Sequence, residues 1–317
     1  MEAKTMNDEP KTLLEAIRFY SDPDNCFELM KQVRWPDGAV KCPTCGSDNV
    51  GFVATRRLWQ CKNKHAKKQF TVKVGTLFED SPIGLDKWLA AVWLIANDKN
   101  GISSYEVAKA LGVTQKTAWF MMHRIRKAMQ NGSFEKFDGE VEVDETFIGG
   151  KARFMHRNRR SRVIKGTGGM GKAIVVGILD RHSGPGHSVV RATVTPDRTK
   201  RTLHPIVRKH VEVGSVVYTD ALLSYEGLKP DFLHDAIDHA ETYVNGNVHT
   251  NGIENFWSLL KRSIHGTYIS IEPFHLFRYI DEQAFRFNER GGTDSNRFQK
   301  LIRSIVGKRL TYDELTR

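Results

Sequence analysis

The stretch VEVDETFIGG, residues 141–150, alternates apolar and acidic positions and ends on two glycines. A strand exposes alternate residues to opposite faces, so Glu140, Glu142 and Asp144 share one face, while Val141, Val143 and Glu145 share the other. Acids along one face suit a solvated edge or a site. The flanking sequence bears on that choice, because KAIVVGILDR, HSVVRATVT, KRTLHPIVRKHV and SVVYTDALLSY follow in order. Three strands, a helix and a further strand predict an α/β layer with a crossover between the third and fourth strands.

Two further segments supply acids to the same layer. The apolar run SVVYTD ends on Asp220, at the carboxyl end of a buried strand, where α/β sheets form their sites. A cap for the following ALLSYEGL would explain Asp220 equally. In HTNGIENFWSLLKRSI, Asn251 is expected to cap a helix that carries Glu254, Trp257, Ser258 and Lys261 on one stripe. Taken alone, Glu254 is an acid in a first turn, favoured by the helix dipole. Together, two Asp on strand ends and a Glu on a following helix can converge on two divalent cations about 4 Å apart, the arrangement for in-line phosphoryl transfer. Hard oxygen ligands select Mg²⁺ or Mn²⁺.

Upstream, KCPTCGS and QCKNKH place Cys42, Cys45, Cys61 and His65 in a C-x2-C-x15-C-x3-H pattern. Four such ligands make a closed tetrahedral site for one structural Zn²⁺, and Pro43 and Gly46 suit the tight turn between the first two. The fourth cysteine, Cys26, reads as a small buried hydrophobe. A helix is predicted within SPIGLDKWLAAVWLIANDKNG, with Leu85, Trp88, Leu89, Val92 and Ile95 on one face. ISSYEVAKALGVTQKTAWFMMHRIRKAM then reads as two helices meeting at Gly112, a helix-turn-helix. Thr114 is the expected N-cap, leaving Gln115, Lys116 and Thr117 where base edges are read.

Lys and Arg outnumber Asp and Glu by 48 to 37, a net charge of +11 in 317 residues. That favours a polyanionic partner, double-stranded DNA before a membrane surface. No run approaches the roughly 20 apolar residues of a membrane span, and MEAKTMNDEPK lacks a signal-peptide core. The expected location is the cytoplasm, on DNA. Residues 151–172 carry Lys151, Arg153, Arg157, Arg159, Arg160, Arg162, Lys165 and Lys172 and no acid, a composition for contacting phosphates. Within it, GTGGMGKA resembles a phosphate loop but ends in Ala173 and precedes a strand, which excludes ATP binding. HDAIDH, with His234, Asp235, Asp238 and His239, reads as polar surface.

The cysteine ribbon, the helix-turn-helix, VEVDETFIGGK, VYTDALLSYEGL and HTNGIENFWSLLKRSIHGTY together resemble the zinc-ribbon insertion-sequence transposases with a DDE catalytic domain. The resemblance runs from about residue 12 to 290. It implies a multi-domain chain: an N-terminal helical segment (1–38), a zinc ribbon (39–80), a helix-turn-helix region (81–135), an α/β ribonuclease H-like, retroviral-integrase-like catalytic domain (136–290) and a C-terminal tail (291–317). It further implies Asp144, Asp220 and Glu254 as the triad holding two Mg²⁺ or Mn²⁺ ions. His249, Asn251 and Asn255 lie near the third position; Glu254 is preferred because a carboxylate binds Mg²⁺ better than a neutral amide. Lys261, with Arg262 beside it, would clamp a phosphate. The implied activity is cleavage at terminal inverted repeats and transfer of the freed 3′ end, by at least a dimer on DNA. The rivals are a DNA-binding regulator with an inactive domain of this kind and a nuclease without strand transfer.

Overall fold

A computed structural model of the chain describes residues 9–130, 135–150, 156–158, 161, 171–184, 187–220, 223–237 and 249–317. The chain divides into two compact units, Met1–Met129 with Gly292–Arg317, and Gln130–Gly291.

The first unit opens with α1 (Leu13–Tyr20), whose N-cap Thr12 accepts the Glu15 N–H, and α2 (Pro23–Arg34), which starts on Asp22 with proline in its first turn. Three short antiparallel strands follow, β1 (Val50–Val53), β2 (Leu58–Cys61) and β3 (Gln69–Phe70). Trp59 on β2 anchors this ribbon, stacked on Phe27 of α2 and on Phe70, with Trp35 edge-on. α3 (Leu85–Asn97) buries Trp88, Leu89, Val92, Trp93 and Ile95. α4 (Ser104–Leu111) begins with a reciprocal capping box between Ser103 and Glu106 and ends at Gly112, whose φ of 59° suits glycine. α5 (Gln115–Ala128) starts after Thr114, whose hydroxyl accepts the Thr117 N–H.

The second unit holds β4 (Glu140–Ile148), β5 (Ala173–Gly184), β6 (His187–Thr195), α6 (Lys200–His210), β7 (Val216–Asp220), β8 (Leu233–Ile237), α7 (Asn251–Ser263) and α8 (Leu276–Asn288). The strand order is β6-β5-β4-β7-β8, with β4 central. β4 runs antiparallel to β5 and parallel to β7, and β7 runs parallel to β8. Covering one face, α6 packs Leu203 and Val207 over Val141, Val143, Ile178 and Val217. On the other, α7 and α8 pack Ile253, Phe256, Trp257, Leu260, Ile280 and Phe287 over Val175, Leu179 and Val190. The alternation in VEVDETFI therefore sends the valines to the α6 face and Glu142 and Asp144 to the α7 face.

Three expectations change. Asn251 is the first residue of α7 rather than its cap, which is Thr250. LHDAI, expected as polar surface, pairs with β7 as the edge strand β8, and its His234 ring bonds the Thr219 hydroxyl at 2.9 Å. Asp238 and His239 lie outside the described residues, as does most of GTGGMGKA. The segment 291–317, expected as a tail, contributes α9 (Asp294–Arg303) and α10 (Tyr312–Thr316), and residues 292–317 belong to the first unit. Phe298 of α9 packs on Tyr20 and Trp93, and Arg124 of α5 donates to the Leu310 carbonyl. The apolar residues Phe298, Leu301 and Ile302 at helical spacing, all fully buried, are what draw this segment in. Among the described residues, no helix is long and apolar enough to cross a membrane.

Candidate functional site

The register of β4 and β7 pairs Glu140 with Val216, Val141 with Val217 and Glu142 with Tyr218. Continued by two residues on each strand, it sets Asp144 beside Asp220. The two side chains share a face, because residues two apart on a strand point the same way. β5 contributes a gap: Gly177 pairs with Asp144, and a Cβ there would lie 2.7 Å from both Trp257 and Ile253. Through that gap the Trp257 indole N–H donates to Asp144 Oδ2 at 2.9 Å, while Oδ1 accepts the Glu145 N–H at 2.8 Å. Both oxygens are thereby held by neutral donors, which leaves the carboxylate's charge uncompensated among the described residues.

Burial first, and then the charges of Glu145 and Asp220, push the Asp144 carboxyl up to about 7. Glu145 lies on the α6 face, where it accepts the Tyr225 hydroxyl at 2.7 Å and stands 3.9 Å from Arg198. Burial raises its carboxyl too. It therefore adds charge to the site from the far side of the sheet, a part that strand alternation alone does not reveal.

This geometry has a measurable consequence in the metal-free chain. An unfolded Asp titrates near 4. The folded chain keeps a proton on Asp144 that the unfolded chain has already released, so this group's contribution to stability is full below pH ~4 and is lost as pH rises through about 7. Between pH 5 and 7.5 the loss is roughly 2 kcal/mol. Urea unfolding at the two pH values, followed by tryptophan fluorescence, should show this loss in the wild type and its absence in Asp144→Asn. Equal pH dependence in both would rule out the assignment.

Glu254 is exposed in the first turn of α7, one turn before Trp257, and its Oε1 accepts the Thr250 hydroxyl at 3.4 Å. Lys261 is half-buried and Arg262 exposed on the last turn of the same helix. The carboxylates of Asp144, Asp220 and Glu254 do not close into one cluster of the kind formed by the cysteines below. Glu142, by contrast, is 1% exposed and fully engaged. It pairs with Arg181 at 2.8 Å and accepts the Ile253 N–H at 2.8 Å. Arg181, which sequence reading passed over, also lies 4.3 Å over the Tyr218 ring and donates to the His249 carbonyl at 2.6 Å. Its only signal in the sequence is a charged DRH closing an apolar strand.

In the first unit, the Cys42, Cys45, Cys61 and His65 ligand atoms all lie within 4.8 Å of one another, the one such group among the described residues. Cys42 Sγ is 3.5 Å from His65 Nε2, and Cys45 Sγ is 3.7 Å from Cys61 Sγ. Burial opposes ionisation of Cys42, but the backbone N–H groups of Cys45 and Thr44 prevail and bring its thiol down to about 6. Three sulfurs and one imidazole, with no disulfide, suit a closed structural zinc site. Asn63, two residues before His65, donates to Cys45 Sγ at 3.7 Å.

At the start of α5, Gln115 donates to the Ser104 hydroxyl at 2.8 Å, and exposed Lys116 lies 4.9 Å over the Tyr312 ring. Thr117 shares a 2.8 Å hydroxyl contact with the cap Thr114. The rest of α5 is largely buried, including Met121, Met122, Arg124 and Arg126, so its first turn, with half-exposed Lys127 at the other end, offers polar groups to a ligand. Arg159 and Arg160 lie outside the described residues.

Residues 136–288 match the ISXO2-like transposase domain, and residues 21–65 match the transposase zinc-ribbon domain. An uncharacterized protein in transposable element ISH50 of Halobacterium salinarum is 30% identical over 258 residues, 78% of this chain and 84% of that protein. An uncharacterized transposase-like protein of Haemophilus influenzae is 36% identical over 100 residues, 31% of this chain and 80% of that protein.

Proposed function

Because this chain belongs to the ISXO2-like transposase family, we propose that it cleaves the ends of its insertion sequence and joins the freed 3′ hydroxyl to target DNA. The observation that carries this reading is the pair Asp144 and Asp220 on adjacent parallel strands, with Asp144 half-buried and held, among the described residues, by neutral donors. The sheet supports a ribonuclease H-like catalytic domain: a central first strand, a hairpin on one side and parallel strands on the other.

An all-oxygen donor set with excess negative charge fits Mg²⁺ or Mn²⁺. Asp144 and Asp220, with Glu254 from α7, would hold two such ions, which when bound supply activation of water or a 3′ hydroxyl and stabilise the leaving oxygen. Trp257 keeps the Asp144 carboxylate in one orientation while the site changes its load. Lys261 and Arg262, two turns beyond Glu254 on α7, receive a DNA phosphate. In the first unit, Gln115, Lys116 and Thr117 read bases at the terminal repeats, and the zinc ribbon holds its basic surface, including Lys62, Lys64 and Lys68, against phosphates. Arg159 and Arg160, which fall between β4 and β5 in the sequence, add phosphate contacts. The active form is at least a dimer on double-stranded DNA in the cytoplasm.

The test uses the full chain, Mg²⁺, a plasmid target and DNA carrying the element's own terminal inverted repeats. Cleaved 3′ ends and joined products are expected, both lost with EDTA. Absence of both products in Mg²⁺ and in Mn²⁺ would overturn the proposal, and cleavage without joining would favour the nuclease reading.

A further inference from the structure

Glu142 and Asp144 are two residues apart on one strand and on one face, yet their surroundings oppose each other. Among the described residues Asp144 has neutral donors, whereas Glu142 is neutralised by Arg181 and set against the N-terminus of α7. The first N–H groups of a helix lack partners within it and are usually met by the N-cap side chain. At α7 the N-cap is Thr250, and its side chain makes no capping hydrogen bond. The third-residue N–H, that of Ile253, goes instead to Glu142 Oε2 at 2.8 Å. A carboxylate at that end also suits the helix dipole. Gly252 permits the approach, since a Cβ there would lie 2.9 Å from Oε2 and 3.2 Å from Oε1. Relieved of capping, the buried Thr250 hydroxyl donates to Glu254 Oε1.

We propose that Glu142 is a positioning residue that caps α7 from the neighbouring strand, so that Thr250 orients Glu254 toward the metal site. This rests on the reading of Glu254 as a metal ligand. The Arg181 pair is what keeps Glu142 from acting as a further ligand: its charge is satisfied inside the protein, and its oxygens are occupied by a guanidinium and a backbone N–H. The two acids on one strand thus divide their work, Asp144 for the cation and Glu142 for the helix that brings the third ligand.

Mn²⁺ binding to the full-length chain, measured by electron paramagnetic resonance without DNA, tests this directly. Partners that orient a ligand typically contribute 10–100-fold to metal affinity. Thr250→Val should weaken Mn²⁺ binding by about tenfold with an unchanged melting temperature, and Thr250→Ser should restore it. Glu142→Gln should weaken it to a similar degree, and the double variant should be no weaker than the worse single one, because both act through Glu254. Wild-type Mn²⁺ affinity in Thr250→Val would overturn the inference, and so would additive losses, which would make Glu142 a ligand itself. If Glu142→Gln fails to fold, Gly252→Ala takes its place, since its Cβ would crowd the Glu142 oxygens: weakened Mn²⁺ binding is expected, and wild-type affinity would overturn the inference. Failure of the underlying reading is distinguishable, since Glu254→Gln and Asp144→Asn would then also bind Mn²⁺ as the wild type does.

Discussion

Asp144→Asn should fold, bind its DNA ends and lose strand cleavage by at least about 10³-fold, equivalent to some 4 kcal/mol of barrier. The substitution keeps size and shape, and its amide can still accept the Trp257 N–H that holds Oδ2 now. What it removes is the charge that the site concentrates by placing Asp144 beside Asp220 with Glu145 behind the sheet. Folding should not suffer, since an ionised Asp144 is costly to bury in the metal-free chain. Single-turnover cleavage of labelled repeat ends, alongside gel-shift binding, separates the two effects. Cleavage within tenfold of wild type would place the chemistry elsewhere, whatever the binding result.

Removal of zinc should be the larger structural event. Cys61→Ser, or stripping with a strong chelator, should unfold the ribbon and abolish its protection from proteases. Apparent binding free energies of structural zinc sites run to about 10 kcal/mol or more, and that energy is folding energy. The ribbon has little else: its strands are four, four and two residues long. Its apolar centre is Trp59 with Phe27, Trp35 and Phe70. Limited proteolysis with metal analysis by mass spectrometry should show one zinc per chain and cleavage between residues 40 and 70 only after stripping. A stripped chain as resistant as the loaded one would refute a structural zinc.

The sequence by itself determined what depends on near neighbours. Cys42, Cys45, Cys61 and His65 were legible because a zinc site imposes close spacing, and the structure gathers these four. Gly112 and Thr114 were legible because an αL turn and an N-cap are requirements on single residues. Strand alternation set Glu142 and Asp144 apart from the valines, because period two is a property of the backbone.

Tertiary structure alone decided which acid is neutralised. Glu142 and Asp144 are indistinguishable by periodicity, and their difference comes from Arg181 on β5 and from the Ile253 N–H, both far along the chain. The same holds for Gly177, whose missing side chain admits Trp257 to Asp144. It holds too for Tyr225, which meets Glu145 on the opposite face, and for residues 292–317, which are helices of the first unit. Sequence pattern records which face a side chain takes; register between strands and the docking of helices choose its partner, and a carboxylate's chemistry is set by its partner.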